Sequence, residues 1–101
     1  MIFKNFKSAH SYYNYPSSYR FGTIGDDLGV IRSYSNGKNN DIIEKNKIKY
    51  KIKNKKIRDL FKLSKLNNKK LRFFYKVDNG VKDLGLFKVK RFYKEYVILY
   101  K

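Results

Sequence analysis

Residues 47–53 read Lys47-Ile48-Lys49-Tyr50-Lys51-Ile52-Lys53, cation and apolar residue in strict alternation. Successive side chains of a strand point to opposite faces. As a strand, this segment puts Ile48, Tyr50 and Ile52 on one face and Lys47, Lys49, Lys51 and Lys53 on the other. A helix would scatter both sets around its axis. From Lys45 to Arg58 there are eight cations, and no acid appears before Asp59. Lysines standing parallel on one face repel each other. Solvent ions screen that repulsion, and a polyanion laid across the face converts it into attraction.

The segment that follows changes period. Asn54 is placed to cap a helix. Ile57, Leu60, Phe61 and Ser64 then recur at helical spacing, and Asn67-Asn68 ends the run. A short helix over 55–66 is predicted, with Lys56, Arg58, Lys62 and Lys65 off its apolar stripe.

Two Asn-Gly pairs predict hairpins, because Asn and Gly tolerate the positive φ of a tight turn. Around Asn36-Gly37, strands over 28–35 and 38–46 bring Arg32 opposite Asp41, Ile31 opposite Ile42 and Val30 opposite Ile43. The second of these strands is expected to run on, through a bend near Asn46, into the lysine strand. Around Asn79-Gly80, strands near 70–77 and 82–89 pair Asp78 with Val81, Lys76 with Asp83, Tyr75 with Leu84 and Phe73 with Leu86, and lay Phe74 over Gly85. Val97 to Tyr100 is apolar on both faces, which predicts a central or doubly covered C-terminal strand.

Residues 1–19 show no sustained period. Tyr12, Tyr13, Tyr15 and Tyr19 cluster about Pro16 and several serines. They predict an extended tail lying against a partner, with phenols free to stack on bases or to fill a protein groove. Residues 20–101 are read as one small basic domain. The fold class expected is α+β: a small β-rich domain with two hairpins, one short helix and a C-terminal strand behind an extended N-terminal tail.

Composition narrows the function. A chain of 101 residues forms one small domain. Its 25 Lys and Arg against 8 Asp and Glu give a net charge of +17 and a pI near 10.1. Solubility requires only ~2–8 charges in a small domain. AT-rich coding accounts for 20 lysines against 5 arginines, and for Lys, Asn, Tyr, Ile and Phe filling 57 of 101 positions. It accounts less well for the scarcity of acids. Nucleic acid is the usual partner of such a chain, because bound cations release the counterions held by phosphate. With no Cys, disulfides and thiolate metal sites are excluded. No apolar run approaches the ~18–20 residues of a membrane helix. The first twenty residues contain a single Arg, which makes a poor transit peptide; a product of an AT-rich organelle needs none.

Catalytic chemistry finds no support in the sequence. His10 is the only histidine and has no acid near it. Phe21-Gly22-Thr23-Ile24-Gly25-Asp26-Asp27-Leu28-Gly29 lacks the Gly-Lys-Ser/Thr ending of a P-loop, and its two acids repel phosphate. Asp26 and Asp27 are read as turn residues, and Asp41 and Glu44 form no evident metal pair. No enzymatic activity, metal, cofactor or small-molecule substrate is expected. The RNA-recognition consensus, zinc fingers, basic heptads and a Gly-rich KH loop are all absent.

The expectation is a structural RNA-binding protein of a ribosome, in a mitochondrion or another AT-rich organelle, or cytoplasmic if from an AT-rich bacterium or phage. Its partners would be rRNA and neighbouring proteins. Lys45, Lys47, Lys49, Lys51, Lys53, Lys55, Lys56, Arg58, Lys69, Lys70 and Arg72 are the expected phosphate contacts. Tyr12, Tyr13, Tyr15, Phe74 and Tyr93 are the expected stacking residues. Two alternatives are a phage or plasmid DNA-binding protein using a β-ribbon, and an accessory subunit of a large complex with lysines toward solvent or anionic lipid.

Overall fold

The computed structural model describes residues 2–16, 29–35, 42–52 and 54–101. In chain order these form β1 (Ile2–Phe3), α1 (Phe6–Tyr12), β2 (Val30–Tyr34), β3 (Ile42–Ile43), β4 (Lys47–Lys51), α2 (Lys55–Leu66), β5 (Lys70–Val77), β6 (Gly80–Phe92) and β7 (Tyr96–Tyr100). The strands make one sheet in the order β2-β5-β6-β7-β4-β3, with β1 pairing to β6. The small, β-rich α+β class read from the sequence is the class observed.

Helix α2 matches its predicted bounds. Asn54 Oδ1 accepts a hydrogen bond from Ile57 N at 2.9 Å, which satisfies one of the donors a helix start leaves open. At the other end Asn68 takes φ +54, Asn68 N donates to Lys65 O and Lys69 N donates to Ser64 O. This is a Schellman closure with Asn in the left-handed position.

The sheet is covered on both faces. Phe61 of α2 packs with Ile31, Ile48, Tyr50, Leu71, Phe73, Phe87, Val89, Val97 and Leu99. Ala9 of α1 packs with Phe3, Val30, Phe74 and Val81. Val30 and Ile31, and likewise Phe73 and Phe74, are sequence neighbours in strands and so face opposite ways. The two helices therefore lie on opposite sides of the sheet.

Four expectations are corrected. Residues 2–16 are not an extended tail: they contribute β1 and α1 to the domain. Helix α1 repeats the plan of α2. Asn5 Oδ1 accepts from Ser8 N at 2.8 Å. Asn14 takes φ +58, Tyr15 N donates to His10 O, and the Tyr15 ring meets the His10 ring edge-on at 6.3 Å.

The hairpin predicted across 28–46 does not form. β2 pairs in parallel with β5, β3 pairs antiparallel with β4, and the two strands stand at opposite edges of the sheet. Val30 and Ile31 are both buried, one under each helix, whereas Ile42 is half exposed. A strand apolar on both sides gains more beside β5, beneath two layers, than beside a two-residue edge strand. Residues 36–41, with the Asn36-Gly37 turn and Asp41, lie outside the described residues, as do Asp26, Asp27 and Lys53. The chain reverses at Lys45-Asn46 rather than bending there, and Glu44 N donates to Lys47 O.

The second hairpin exists, but its register is displaced. Val77 pairs with Gly80, so Asp78-Asn79 is the loop. Lys76 lies opposite Val81 and Tyr75 opposite Lys82; a bulge then sets Phe74 opposite Asp83 and Phe73 opposite Gly85. Asp78 and Asn79 keep negative φ, and the positive φ falls on Gly80, at +148. β7 is central, between β6 and β4, as its apolar character predicted.

Gly80 is tied to β1 as well as to the turn. A Cβ built there would lie 2.5 Å from the Phe3 carbonyl oxygen. Gly80→Val combines that clash with a strained φ, and should destabilise the domain by at least about 1–3 kcal/mol. Urea unfolding checks it, and an unchanged midpoint would contradict this account of the turn.

Candidate nucleic-acid interface

α1 is held over one end of the sheet by a buried polar cluster. Arg72 Nη1 donates to both oxygens of Asp83, at 3.1 and 3.0 Å, and Gly85 N donates to Asp83 Oδ1 at 2.9 Å. The Tyr13 hydroxyl donates to Asp83 Oδ2. The Arg72 guanidinium also lies 3.9 Å from the centre of the Tyr13 ring, a favourable cation–π position. The side chains of Arg72 and Asp83 are only 15% and 8% exposed. His10 is enclosed nearby: its Nδ1 lies 3.0 Å from Pro16 O, and Arg32 Nε lies 3.3 Å from its Nε2. A ring nitrogen facing a guanidinium must accept, which places the proton on Nδ1 toward the carbonyl.

α1 packs against β1, β5 and β6. Over β7 and β4 the same face carries no helix among the described residues. The strand registers fix what stands there. Lys47, Lys49 and Lys51 lie opposite Tyr100, Ile98 and Tyr96. Tyr100 lies opposite Lys88 and Ile98 opposite Arg91. Lys88 in turn lies opposite Lys70. Paired residues share a face, so rows cross the strands at right angles. One row is Lys47, Tyr100, Lys88, Lys70. The next is Lys49, Ile98, Arg91. The third pairs Lys51 with Tyr96.

The aromatics of this face are held by its cations. Lys49 Nζ sits 4.2 Å from the centre of the Tyr96 ring. Tyr93, in the β6–β7 turn, stacks on Tyr96 at 4.6 Å with the planes 21° apart. A hydrogen bond to the Tyr93 side chain raises the Arg91 pKa, with smaller contributions from the charges of Tyr93 and Tyr100. Tyr93 and Tyr100 remain 40% and 39% exposed.

The residues singled out from sequence separate into three groups. Lys47, Lys49, Lys51 and Lys70 come together on the open face, and Tyr93 borders it. Lys55, Lys56 and Arg58 ride on α2, across the sheet. There Lys55 pairs with Asp59 at 3.0 Å, and Arg58 donates to the Lys94 carbonyl. Lys45 is exposed in the β3–β4 turn, and Lys69 is half-buried just before β5.

Arg72 and Phe74 do not belong to the open face. Arg72 is committed to Asp83, and Phe74 is fully buried under α1. Tyr13 and Tyr15 pack there too, stacked at 5.5 Å. Tyr12 is 58% exposed, with its ring 5.3 Å from that of Phe3.

Tyr96, Tyr100, Lys88 and Arg91 were not anticipated. The alternation Tyr96-x-Ile98-x-Tyr100 was available as a signal, but only the strand order reveals that it faces lysines. Among the described residues there is no group of three or more His, Cys, Asp or Glu able to hold a metal, and no helix long and apolar enough to cross a membrane. No family model, no curated protein and no solved structure matches the chain.

The hydrogen bond to Asp83, then burial, then the Asp83 charge, raise the Tyr13 pKa above the usual 10.0. The folded state thus keeps this proton at pH values where the unfolded chain has released it. The stabilisation is complete below pH 10 and declines as pH rises beyond it. Tyr13→Phe should therefore cost about 1.5 kcal/mol at pH 7, and the gap to wild type should narrow at about pH 11. Denaturant titrations at the two pH values measure it; a constant gap would show that Asp83 does not hold the phenol proton.

Proposed function

We propose that the protein binds RNA as a structural component of a ribonucleoprotein particle, a ribosome made under AT-rich coding in an organelle. The observation that carries this reading is the open half-face, where six cations from three strands converge: Lys47, Lys49 and Lys51 of β4, Lys88 and Arg91 of β6, and Lys70 of β5. All six stand on one side; among the described residues the acid that borders them is Glu44, whose N–H donates to Lys47 O and which lines a small hollow with Ile42, Lys47, Lys49 and Ile98. A cationic field of this kind stores repulsion until a polyanion covers it. Lysine supplies point charges with little base preference, which suits phosphate contact throughout a large RNA. The net charge of +17 supports the same reading.

The experiment is RNA binding across a range of salt concentrations. The variant Lys47→Gln/Lys49→Gln should bind all RNA sequences more weakly and to a similar degree. Its slope of log K against log salt should be shallower by roughly 1.4–1.8, from ~0.7–0.9 for each phosphate left without its lysine. An unaltered slope would mean that these lysines face solvent in the complex. The particle itself is tested by fractionation. The native protein should co-sediment with ribosomal particles and be released by RNase.

A further inference from the structure

We propose that the open half-face receives an unpaired RNA strand, with one base stacked on Tyr100 and another on the Tyr93–Tyr96 pair. This rests on the RNA-binding reading above and specifies the form of RNA.

A duplex keeps its bases inside and offers phosphate and sugar to a protein, so it calls for cations alone. This face offers more. Tyr100 stands in the middle of a row, with Lys47 on one side and Lys88 on the other. Adjacent strands are ~4.8 Å apart, so these lysines straddle the ring at roughly 10 Å from each other. A base lying on the phenol thus has a cation within reach of the backbone on each side.

Tyr93 makes the second platform. Its ring already lies nearly parallel to that of Tyr96, and it is 40% exposed. A base added to it lengthens an existing stack. Arg91, bonded to Tyr93, fixes a charge beside it.

Spacing excludes a regular helix across both platforms. Tyr96 and Tyr100 are four residues apart on β7, which is ~13 Å at ~3.3 Å per residue. Successive bases of a helical strand rise only roughly 3.4 Å. A strand that uses both platforms is splayed, with intervening nucleotides between the two stacked bases. Such splaying is open to single strands and not to duplexes.

A ring in a strand usually serves the core, and Phe73, Phe87 and Tyr50 do so here. Tyr100 and Tyr93 keep about two fifths of their surface in solvent, on the face where the cations converge. That combination is the one single-strand binders use.

The test uses the full chain, a fluorescent 12-nucleotide oligouridine, and a 12-base-pair RNA duplex, with anisotropy at several salt concentrations. Wild type should prefer the single strand. Tyr100→Leu should weaken single-strand binding about 5- to 160-fold, the range for loss of one stacked base. It should leave duplex binding and the salt slope as in wild type. Tyr93→Leu should act in the same sense, and Tyr100→Phe, which keeps the ring, should retain wild-type affinity. Far-UV circular dichroism confirms that each variant is folded. Should Tyr100→Leu prove unfolded, Tyr93→Leu against Tyr100→Phe decides.

Equal binding of both probes, with neither Leu variant altering it, overturns the stacking proposal. The RNA reading would then still stand if Lys47→Gln/Lys49→Gln lowers the salt slope. Binding of neither probe by wild type overturns both.

Discussion

The Arg72–Asp83 pair decides which half of the sheet is covered. It lies on the α1 side, carries Tyr13 as a third member, and is shielded from water. Ions are costly to bury unless every one of them is matched. Here the match draws on three elements: β5 gives the arginine, β6 the carboxylate and the backbone N–H of Gly85, and the end of α1 the phenol. That sharing fixes the end of α1 over β5 and β6. Phe3, Ala9, Val30, Phe74 and Val81 then close around it as a second, smaller core. β7 and β4 lie beyond the reach of a seven-residue helix, and among the described residues no other helix covers their outer face.

The opposite face is settled by bulk rather than by charge. Phe61, Phe73, Phe87 and Tyr50 meet edge to face, at 5.6–5.9 Å between ring centres. This larger core spans β2 to β4 beneath α2. It holds the lysine strand in place, because Ile48 and Tyr50 are buried in it. Once those two point inward, pleating leaves Lys47, Lys49 and Lys51 no direction but outward. The repulsion among them is held by hydrophobic burial on the reverse side of the same strand. Fold and cationic face are thus two consequences of one alternation.

What could be read from the sequence follows the range of the interactions involved. The lysine strand and α2 were legible because their signals are local: a period of two, a stripe of apolar residues, and asparagines at both helix ends. α1 carries a similar signal in Asn5, in Phe6, Ala9, His10 and Tyr13 at helical spacing, and in Asn14. Yet seven residues are too few to be stable alone, and its buried residues are Ala9 and His10 rather than large aliphatics. Packing against Phe74 and the contact from Arg32 make it a helix. The Arg32–Asp41 hairpin was persuasive because charge and β-branched pairs agreed locally. It lost to parallel pairing with β5, which no local pattern could reveal. Phe74, Arg72 and Tyr13 were assigned to RNA for a related reason: their partners come from distant strands.

The candidate site shows the same division more sharply. Alternation along a single strand gives columns, and the lysine column of β4 was plain from sequence. Rows need the strand order. Only because β7 lies between β6 and β4 does Tyr100 come to stand between Lys88 and Lys47. The cations at 47, 70 and 88 are far apart in the chain, and none of their local contexts marks them as a group. A column of lysines alone binds phosphate indifferently. A row that sets a phenol between two cations can also hold a base. The step from a basic surface to the seat proposed for an unpaired strand is therefore taken by topology, with the composition supplying the material.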